Sequence, residues 1–453
     1  MRTDLPRVPG GMLFGNLAEL REDRVGLLLR AVRDVGPLAR LRMGVFPALL
    51  VSTPGFAHGV LVEHADAFHK GFGLSIFAKP MLGEGLLTSE GAFHKRQRRL
   101  LAPAFMHKRI AGYAETFGTY AERARKRIAP HAELDLAEEM MQLTFEIVGK
   151  TLFDADVSGD AAAVGEALTE AMHAMMAQLT SALPLPPGFP SPQNLRMRRA
   201  VRRLDRVVYR LIEERRKSEI DRGDVLSMLL LAREPDDQGG MADKQVRDEA
   251  MTVMLAGHET TANALTWTFA LLARHPEVRV RLEQELDRVL GGRIPNVDDL
   301  PNLPYALQVL KEAMRLYPPA YLLTRRAQRD VEIDGVRVSR GELVIVNILG
   351  MQRDPEYFEN PQAFEPERFA PAESQRWNKG AYLPFGGGAR VCIGNHFALM
   401  EGQILLAHLA QHFRFEPLSA RPLEPEGLIT LRPKGGLKVR AHPRHASAQH
   451  VAE

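Results

Sequence analysis

Apolar residues recur at helical spacing over most of the chain, and the longest such stretch covers residues 243–275. It contains no proline before Pro276 closes it, so the pattern predicts one helix about 50 Å long at 1.5 Å per residue. A second helix is predicted over 395–413, where apolar residues return every three or four positions. Further helical patterns cover 21–35, 93–101, much of 111–175, 195–220 and 304–317.

Short segments of strand character are few and scattered. Residues 38–42 alternate, 48–51 run apolar, and 331–338 contain an Asp-Gly pair that is typical of a hairpin turn. The remaining segments of this kind are the buried strand 343–346 and a last hairpin of 427–431 with 437–439. The pattern therefore predicts a mainly α protein with small β sheets (α+β).

Several segments have no regular pattern. Residues 71–87 form a long apolar loop, 183–192 a proline-stiffened loop and 235–240 a linker. We expect flexible tails over about 1–10 and from about 441 to 453. The length of 453 residues exceeds the usual size of one hydrophobic core, so two lobes or one large cofactor-centred domain are both compatible with it.

Composition narrows the function classes. A formal net charge of +3 is too small to indicate nucleic-acid binding by itself. The single cysteine excludes an internal disulfide, which fits a cytoplasmic protein. The first residues contain neither a signal-peptide core nor an apolar run long enough to span a bilayer, so we expect no membrane anchor.

The one cysteine, Cys392, lies in a glycine-rich loop just before the helix predicted over 395–413. Most lone cysteines are small buried hydrophobes. At a helix N-terminus, however, the thiol is expected to have a lowered pKa and a tendency to ionise. With no second cysteine for zinc or an iron–sulfur cluster, haem is the group that one thiolate can hold.

The segment resembles the cysteine-ligand loop of the cytochrome P-450 family, Phe-x-x-Gly-x-Arg-x-Cys-x-Gly, at Phe385, Gly388, Arg390, Cys392 and Gly394. The resemblance implies that Cys392 is the axial ligand of the iron of haem b. It places Phe385, Gly386, Arg390 and Gly394 at the cofactor. It also implies one haem domain over 1–453, folded as a triangular prism with a helical lobe and a β-rich lobe around the haem.

A second matching motif, Ala256-Gly257-His258-Glu259-Thr260-Thr261, lies midway along the longest predicted helix. Taken alone, glycine and threonine here are tolerated helix residues that bend it slightly. In the resembled family the first threonine steadies dioxygen and the acid relays protons, which implies catalytic roles for Thr260 and Glu259. Ala256 is assigned to the cofactor site, and His258 receives no role.

Two further motifs match the family. His94 and Arg98, four residues apart on one helix face, imply ligands of a haem propionate, with His94 where many relatives have Trp. Arg325 is the implied propionate-binding arginine further along the chain, with Arg326 as the alternative. The motif Glu312-x-x-Arg315, with the later Arg368, implies a buried structural triad instead of a surface ion pair.

The resemblance implies a monooxygenase that activates O2 with two external electrons and hydroxylates or epoxidises a lipophilic molecule: a fatty acid, terpenoid, steroid or polyketide-like compound. A separate ferredoxin and ferredoxin reductase would supply the electrons to what we expect to be a monomer. Basic residues then provide a docking face for the ferredoxin: Lys95, Arg96, Arg99 and Lys108.

Three alternatives stay open at the level of sequence. A peroxygenase or isomerase on the same scaffold would need no electron partner, and a haem-binding sensor or carrier would not turn over. The arginine-rich segment 195–220 also suggests contact with a nucleic acid or an anionic membrane. The acid–threonine pair disfavours the first two, and the acids that follow the arginines disfavour the third, so we expect no nucleic-acid partner.

Overall fold

The computed structural model describes residues 5–44, 46–181, 183–218, 220–232 and 241–444. The predicted linker at 235–240 lies outside this part. The α-helices in the described residues are α1 (Leu17–Glu22), α2 (Arg24–Arg30), α3 (Pro54–His58), α4 (Lys79–Leu82), α5 (Gly91–Leu101), α6 (His107–Ala111), α7 (Ala114–Arg127), α8 (Leu136–Phe153), α9 (Ala161–Leu179), α10 (Pro192–Ser218), α11 (Val225–Leu231), α12 (Asp243–Arg274), α13 (Pro276–Leu290), α14 (Pro304–Leu316), α15 (Ile348–Met351) and α16 (Asn395–His412).

The strands are short and form small sheets. They are β1 (Leu38–Met43), β2 (Phe46–Val51), β3 (Phe68–Lys70), β4 (Glu133–Asp135), β5 (Leu323–Ala327), β6 (Val331–Ile333), β7 (Val336–Val338), β8 (Leu343–Val346), β9 (Phe413–Pro417), β10 (Pro425–Gly427), β11 (Leu431–Pro433) and β12 (Lys438–Pro443). The largest sheet has the order β1-β2-β8-β5-β3, in which β2 and β8 are parallel. A mainly helical α+β fold is thereby confirmed.

Helix α12 is the axis of the helical part of the molecule. It packs against α8, α10, α14 and α16, and nearly all of its residues from Val246 to Leu272 are buried. A helix with neighbours on every side has no polar face to present to water, which explains the apolar run without a strong amphipathic pattern. The prediction for 243–275 is right to within one residue at its C-terminal end.

The structural triad lies beneath this helix core. Arg315 and Glu312 are fully buried and form a bidentate pair with two contacts of 2.7 Å, while Arg368 lies 3.3 Å from the same carboxylate. Arg315 also donates to the carbonyls of Gln352, Pro361 and Ala363. The triad therefore holds the irregular segment that precedes the cysteine loop.

The expectations for the C-terminal part were partly wrong. Residues 437–439 do not pair with 427–431; β12 instead joins β9 and β4, and β10 pairs with β11. A glycine pair between two apolar runs suggests a hairpin, but β9 offers β12 a longer antiparallel partner. Residues 441–443, assigned to a flexible tail, are the end of β12.

The N-terminal tail and the long loop also differ from expectation. Leu5 is buried, and backbone hydrogen bonds join Pro6 and Val8 to Arg40, so residues 5–8 lie against β1. The loop at 71–87 contains a π-helical turn at Gly73–Phe77 followed by α4. Within the described residues, no helix is long and apolar enough to cross a bilayer.

Candidate active site

The loop around Cys392 has a backbone that only glycine permits at two points. Gly386 and Gly388 have φ values of 69° and 66°, and a side chain at Gly388 would collide with the carbonyl oxygen of Leu61. The Cys392 amide donates to the carbonyl of Phe385 at 2.9 Å, which closes the loop. Arg98 Nη1 donates to the Val391 carbonyl at 2.8 Å and ties the loop to α5.

Cys392 is exposed, yet protein surrounds it closely enough that burial raises the pKa of its thiol. The amide of Gly394 and the charge of Arg98 act in the opposite direction and do not outweigh burial. The predicted lowering of this pKa by the helix N-terminus was therefore wrong for the protein without a metal. A cation held by this sulfur would supply the stabilisation of the thiolate that the helix end alone does not.

One face of α12 is less buried than the rest of the helix. Ala256 is exposed and Gly257 and Thr260 are half-buried, although their neighbours on the helix are buried. The Thr260 hydroxyl donates to the Ala256 carbonyl at 2.9 Å, so this part of the helix is locally bonded through its side chain. The opening lies at the residues of the second motif, as it must if a group approaches the helix there.

Glu259 points to a partner that the sequence did not predict. Its Oε1 accepts a hydrogen bond of 2.5 Å from Thr430 Oγ1, which in turn accepts one of 3.1 Å from the Asn263 amide. Burial raises the pKa of Glu259, and the Thr430 bond and the charge of Arg432 reduce that rise. The side-chain bonds of Glu259 and Thr260 therefore lead in different directions.

Arg432, whose charge acts on Glu259, lies in a polar group that extends to the surface. Arg432 bonds to Glu426 at 2.9 Å, to Thr169 at 3.2 Å and to His173 at 3.4 Å. His173 is about half exposed. Sequence inspection missed Thr430 and Arg432 in these roles because nothing local marks them; only the fold brings the turn after β10 against α12.

His258 has a structural explanation. It is buried, its Nδ1 lies 2.7 Å from the Met254 carbonyl, and its ring packs edge-on against Phe145 of α8 at 5.2 Å. Burial lowers the pKa of this imidazole to about 4, so it is neutral at ordinary pH. It faces α8, which agrees with its having been given no role.

Basic side chains converge beside the cysteine loop. Arg325 is buried, and burial together with the charge of Arg390 lowers its pKa to about 10. Lys70 on β3 is the cross-strand partner of Arg325 on β5, and burial with these two arginines lowers its pKa to about 7. Glu90 is the acid beside them, paired with Arg390.

Like charges directly opposite each other on neighbouring strands destabilise a sheet. A buried pair of this kind, with a third cation close by, is the arrangement expected of a site that receives an anionic group. Lys70 was missed in the sequence because a lone lysine after a short apolar run has no distinguishing context. The pairing register of β3 and β5 is what identifies it.

His94 completes this cluster. Its Nδ1 lies 3.1 Å from the Leu86 carbonyl, whereas Nε2 is buried without a partner among the described residues. Burial and the neighbouring cations lower the pKa of His94 to about 4. A carbonyl oxygen only accepts hydrogen bonds, so Nδ1 carries the ring proton and donates it to Leu86. In the neutral ring, Nε2 is then an acceptor, unless the ring turns.

Arg326 points the other way. As the next residue on β5 it is exposed, and its guanidinium stacks over Phe72 with 5.0 Å to the ring centre. Alternation along a strand places neighbouring residues on opposite faces. The geometry therefore favours Arg325 over Arg326 as a ligand of an interior group.

An apolar cavity of about 260 Å³ lies between the apolar loop 71–87 and the end of α9 with the proline-stiffened loop that follows it. Phe77 and Pro80 come from the loop 71–87, and Met175 and Pro187 come from the end of α9 and the loop that follows. Arg198 and Gln178 are among its polar lining residues. The two stretches are far apart in sequence and meet here.

The residues present fit a haem group. Cys392 offers a soft ligand atom that is accessible, Ala256 and Gly257 leave space on α12, and a buried cluster of cations suits carboxylates. These features come from separate segments and converge in the fold, as binding one large, flat, dianionic group requires.

Comparison with known proteins agrees with this geometry. Residues 6–439 match the model of the family described as Cytochrome P450. The chain is 36% identical over 438 residues to "Cyclooctatin synthase" of Streptomyces melanosporofaciens, covering 96% of this chain and 95% of the relative. It is 35% identical to "Cyclooctat-9-en-7-ol 5-monooxygenase" of the same organism, covering 86% and 84% of the two chains.

A third relative, "Pentalenene oxygenase" of Streptomyces avermitilis, is 33% identical and covers 90% of this chain and 91% of its own. Members of this family are haem enzymes that use lipophilic substrates, O2 and redox partners. The chain belongs to the cytochrome P450 family and is a monooxygenase of that family.

Proposed function

We propose that this enzyme holds haem b through Cys392 and hydroxylates or epoxidises a terpenoid. The observation that carries the cofactor assignment is the buried pair of Lys70 and Arg325 opposite each other, beside the accessible thiol of Cys392. Two relatives carry the names of terpenoid substrates, cyclooctat-9-en-7-ol and pentalenene. We place it in the cytoplasm, since a chain with one cysteine forms no internal disulfide, and we expect it to be a monomer.

Haem, when bound, supplies the activation of O2 and the transfer of one oxygen atom to carbon. Cys392 provides the thiolate, and its loop is held by Arg98 and by the bond from its own amide to Phe385. Lys70, Arg325 and Arg390, with Arg98, hold the two carboxylates. His94 joins them as an imidazolium, the form in which Nε2 donates and which an adjacent carboxylate favours. Binding these anions relieves the repulsion among the buried cations, so cofactor binding and local stability are coupled.

Thr260 and Glu259 handle protons in this proposal. Splitting O2 consumes two protons, which must reach a site lined by apolar residues. Burial raises the pKa of Glu259, which favours its protonated form, and Thr430 fixes its carboxyl. Thr260 presents its hydroxyl on the open face of α12. Rotation of the Glu259 side chain between Thr430 and the open face would carry each proton inward.

Polar side chains that extend to the surface act on Glu259 through the charge of Arg432. Arg432 donates a hydrogen bond to Glu426 and lies 3.4 Å from His173, which hold its guanidinium in place. Arg432 is therefore a positioning residue that acts on Glu259 through its charge.

The substrate is lipophilic because the segments that line the cavity carry few charged side chains. The cavity between the loop 71–87 and the end of α9 is lined mainly by apolar side chains such as Phe77, Met175 and Met197. Fatty acids, steroids and polyketide-like compounds share this chemistry, and the names of the relatives are what favour terpenoids. A panel of these classes, titrated while the haem spectrum is followed, identifies the class that binds.

Two electrons come from a separate ferredoxin and its reductase. The basic residues proposed to dock the ferredoxin lie on α5 and α6 and are all exposed: Lys95, Arg96, Arg99 and Lys108. Phe105 between these helices approaches Gly394, and Arg98 contacts Val391, so the patch adjoins the cysteine loop. An acidic partner would dock there through charge complementarity.

The experiment compares product formation by the haem-loaded enzyme with NAD(P)H plus ferredoxin and reductase, and with peroxide alone. A monooxygenase forms product with the redox chain, and Thr260→Ala or Glu259→Gln lowers the product formed per electron consumed. Product with peroxide alone would indicate a peroxygenase instead. Unchanged coupling in both variants would remove the proton roles and favour a haem carrier or sensor.

Docking has a separate test. Turnover with an acidic ferredoxin should fall with rising salt and with Lys95→Glu/Arg99→Glu, which leave the interior site untouched. Turnover insensitive to both changes would place the ferredoxin elsewhere.

A further inference from the structure

Two histidines and a glutamate meet where α7 packs against α16. His408 and His412 lie four residues apart at the end of α16, so their side chains are neighbours on one face of that helix. Glu122 comes from α7, which packs against it. Nitrogen atoms of the two rings and a carboxylate oxygen of Glu122 all lie within 4.8 Å of one another. The packing of the two helices therefore brings three possible metal ligands together.

The separations between these side chains are close to those of a metal site. His408 Nε2 lies 2.9 Å from Glu122 Oε2, and the rings of His408 and His412 meet edge-on with 4.9 Å between their centres. Around a tetrahedral metal with bonds of about 2.0–2.2 Å, the ligand atoms are about 3.3 Å apart. Rotation of side chains can close the remaining distance, so neither helix has to move.

The burial of the three side chains leaves a way in for an ion. His408 is fully buried, whereas Glu122 and His412 are half-buried at the rim of the group. His412 is also the last residue of α16, where the carbonyl end of a helix carries partial negative charge and favours a cation. A rigid ligand at the floor and two accessible ligands at the rim suit an ion that enters from water.

Gln411 lies beside His408 and can orient its ring. Its Nε2 lies 3.2 Å from His408 Nδ1, and its buried Oε1 has no partner among the described residues. A histidine that binds a metal through Nε2 keeps its proton on Nδ1 and donates it, often to an oxygen. A turn of the Gln411 amide would offer Oε1 for that bond, in exchange for the present bond from Nε2 to the Arg293 carbonyl.

Two cations near the group oppose metal binding. Arg125 donates to both oxygens of Glu122 at 2.6 Å, and Lys126 lies 3.5 Å from the same carboxylate. A carboxylate has about four lone-pair sites, so Glu122 can keep Arg125 and still bind a metal, with reduced affinity. The competing explanation is a hydrogen-bonded group that binds no metal, because both nitrogens of His408 already have partners.

A second group of similar composition provides a comparison within the same chain. His442 Nε2 lies 2.7 Å from Glu416, and its ring meets that of His131 edge-on at 5.5 Å. In the part of the chain that the structure describes, however, the group on α7 and α16 alone brings three such ligand atoms within 4.8 Å of one another. His442 is therefore a matched control for His412.

We propose that Glu122, His408 and His412 bind a divalent transition metal such as Zn²⁺, with water in the fourth position. Imidazole and carboxylate ligands suit zinc and the neighbouring metals, whereas Mg²⁺ and Ca²⁺ prefer oxygen ligands alone. The metal would join the end of α16 to α7. Since α16 begins three residues after Cys392, this link would hold the helix that carries on from the cysteine loop.

The test uses the haem-loaded full chain, in which Cys392 is engaged and does not compete for zinc. Zn²⁺ is titrated by calorimetry, and the metal retained after dialysis is counted by atomic absorption. Wild type should bind one Zn²⁺ and retain no Mg²⁺. His412→Ala is preferred to a change at the buried His408, which risks unfolding, and it should weaken zinc binding at least 10- to 100-fold. His442→Ala should bind zinc within about twofold of wild type.

The same titrations can refute the site. Failure of wild type to retain zinc would overturn the proposal and leave the hydrogen-bonded group as the explanation. Equal zinc affinities of wild type and His412→Ala, when both have the same circular dichroism, would overturn it as well. Equal losses in His412→Ala and His442→Ala would show that zinc binds to surface histidines in general.

Two further readouts separate a metal site from a purely structural contact. Arg125→Gln should tighten zinc binding about two- to fivefold, because it frees Glu122 from a competing cation of an exposed ion pair. X-ray absorption at the zinc edge should show nitrogen and oxygen ligands at about 2.0–2.2 Å and no sulfur. Unchanged or weaker binding in Arg125→Gln, or a sulfur ligand, would contradict the assignment. These readouts need no turnover, so they stand or fall separately from the proposed reaction.

Discussion

Replacing Glu312 by glutamine removes the one negative charge at the centre of the buried triad. Arg315 remains fully buried, and Arg368 lies close by. Among the described residues, Arg368 has only the half-exposed Glu365 as a second acid partner. The amide of glutamine can accept one hydrogen bond from Arg315, but its NH2 group faces a second guanidinium donor. Removing one partner of a buried ion pair costs about 3–5 kcal/mol. That is a large share of a total stability of about 5–15 kcal/mol.

The matched control is Glu373→Gln. Glu373 and Arg376 are also three residues apart and 2.8 Å from each other, but both are exposed, and such pairs contribute about 0–1 kcal/mol. The assay is urea unfolding of the haem-loaded protein followed by circular dichroism and by the haem band. We expect a large downward shift of the midpoint for Glu312→Gln only, with earlier loss of haem, because Gln352 links the triad to the backbone of Leu383 near the cysteine loop. Equal midpoints for the two variants would refute the structural role of the triad.

Three other results are expected. Arg325→Gln should release haem about 10- to 150-fold faster, because it loses charge-assisted hydrogen bonds that contribute about 1.5–3 kcal/mol. Arg326→Gln should release haem at the wild-type rate. Both rates are measured by haem transfer to apomyoglobin, and equal rates for the two variants would contradict the assignment of Arg325. Burial and the neighbouring arginines lower the pKa of Lys70 from 10.5 to about 7, so above pH 7 the amine is mostly neutral. It gains a proton when the carboxylates bind beside it. Because binding takes up this proton, haem affinity falls as pH rises above 7. Calorimetry in buffers of different ionisation enthalpy should therefore show wild type taking up more protons on haem binding than Lys70→Met, a comparison that cancels the proton lost by Cys392. Gly388→Ala should lower haem content through its φ of 66° and the collision with Leu61, whereas Gly165→Ala, in open space on α9, should leave it unchanged; full haem content in Gly388→Ala would refute the strain argument.

The structural features that the sequence could predict are those with a strong local pattern. Helix α12 has a continuous apolar run between clear ends, and the cysteine loop has glycines whose positive φ values the fold requires. The Asp-Gly turn between β6 and β7 likewise has φ values of 49° and 74°, as that dipeptide indicates. In each case the residues that determine the structure are neighbours in sequence.

What sequence could not predict depends on pairings between distant segments. Lys70 meets Arg325 only through the register of β3 and β5, and Thr430 meets Glu259 only because the turn after β10 packs on α12. The pairing of β12 with β9 and β4 was missed for the same reason. The raised pKa of Cys392 shows a further limit: a helix N-terminus is visible in sequence, whereas the desolvation that opposes it is a property of the packed protein.

The most direct test of the account is the spectrum of the reduced protein with carbon monoxide. Wild type should show the long-wavelength Soret band of a thiolate-ligated haem, and Cys392→Ser should lose it while keeping the wild-type circular dichroism. Absence of that band in wild type, or its persistence unchanged after Cys392 is replaced, would contradict the central claim that this one sulfur holds the iron.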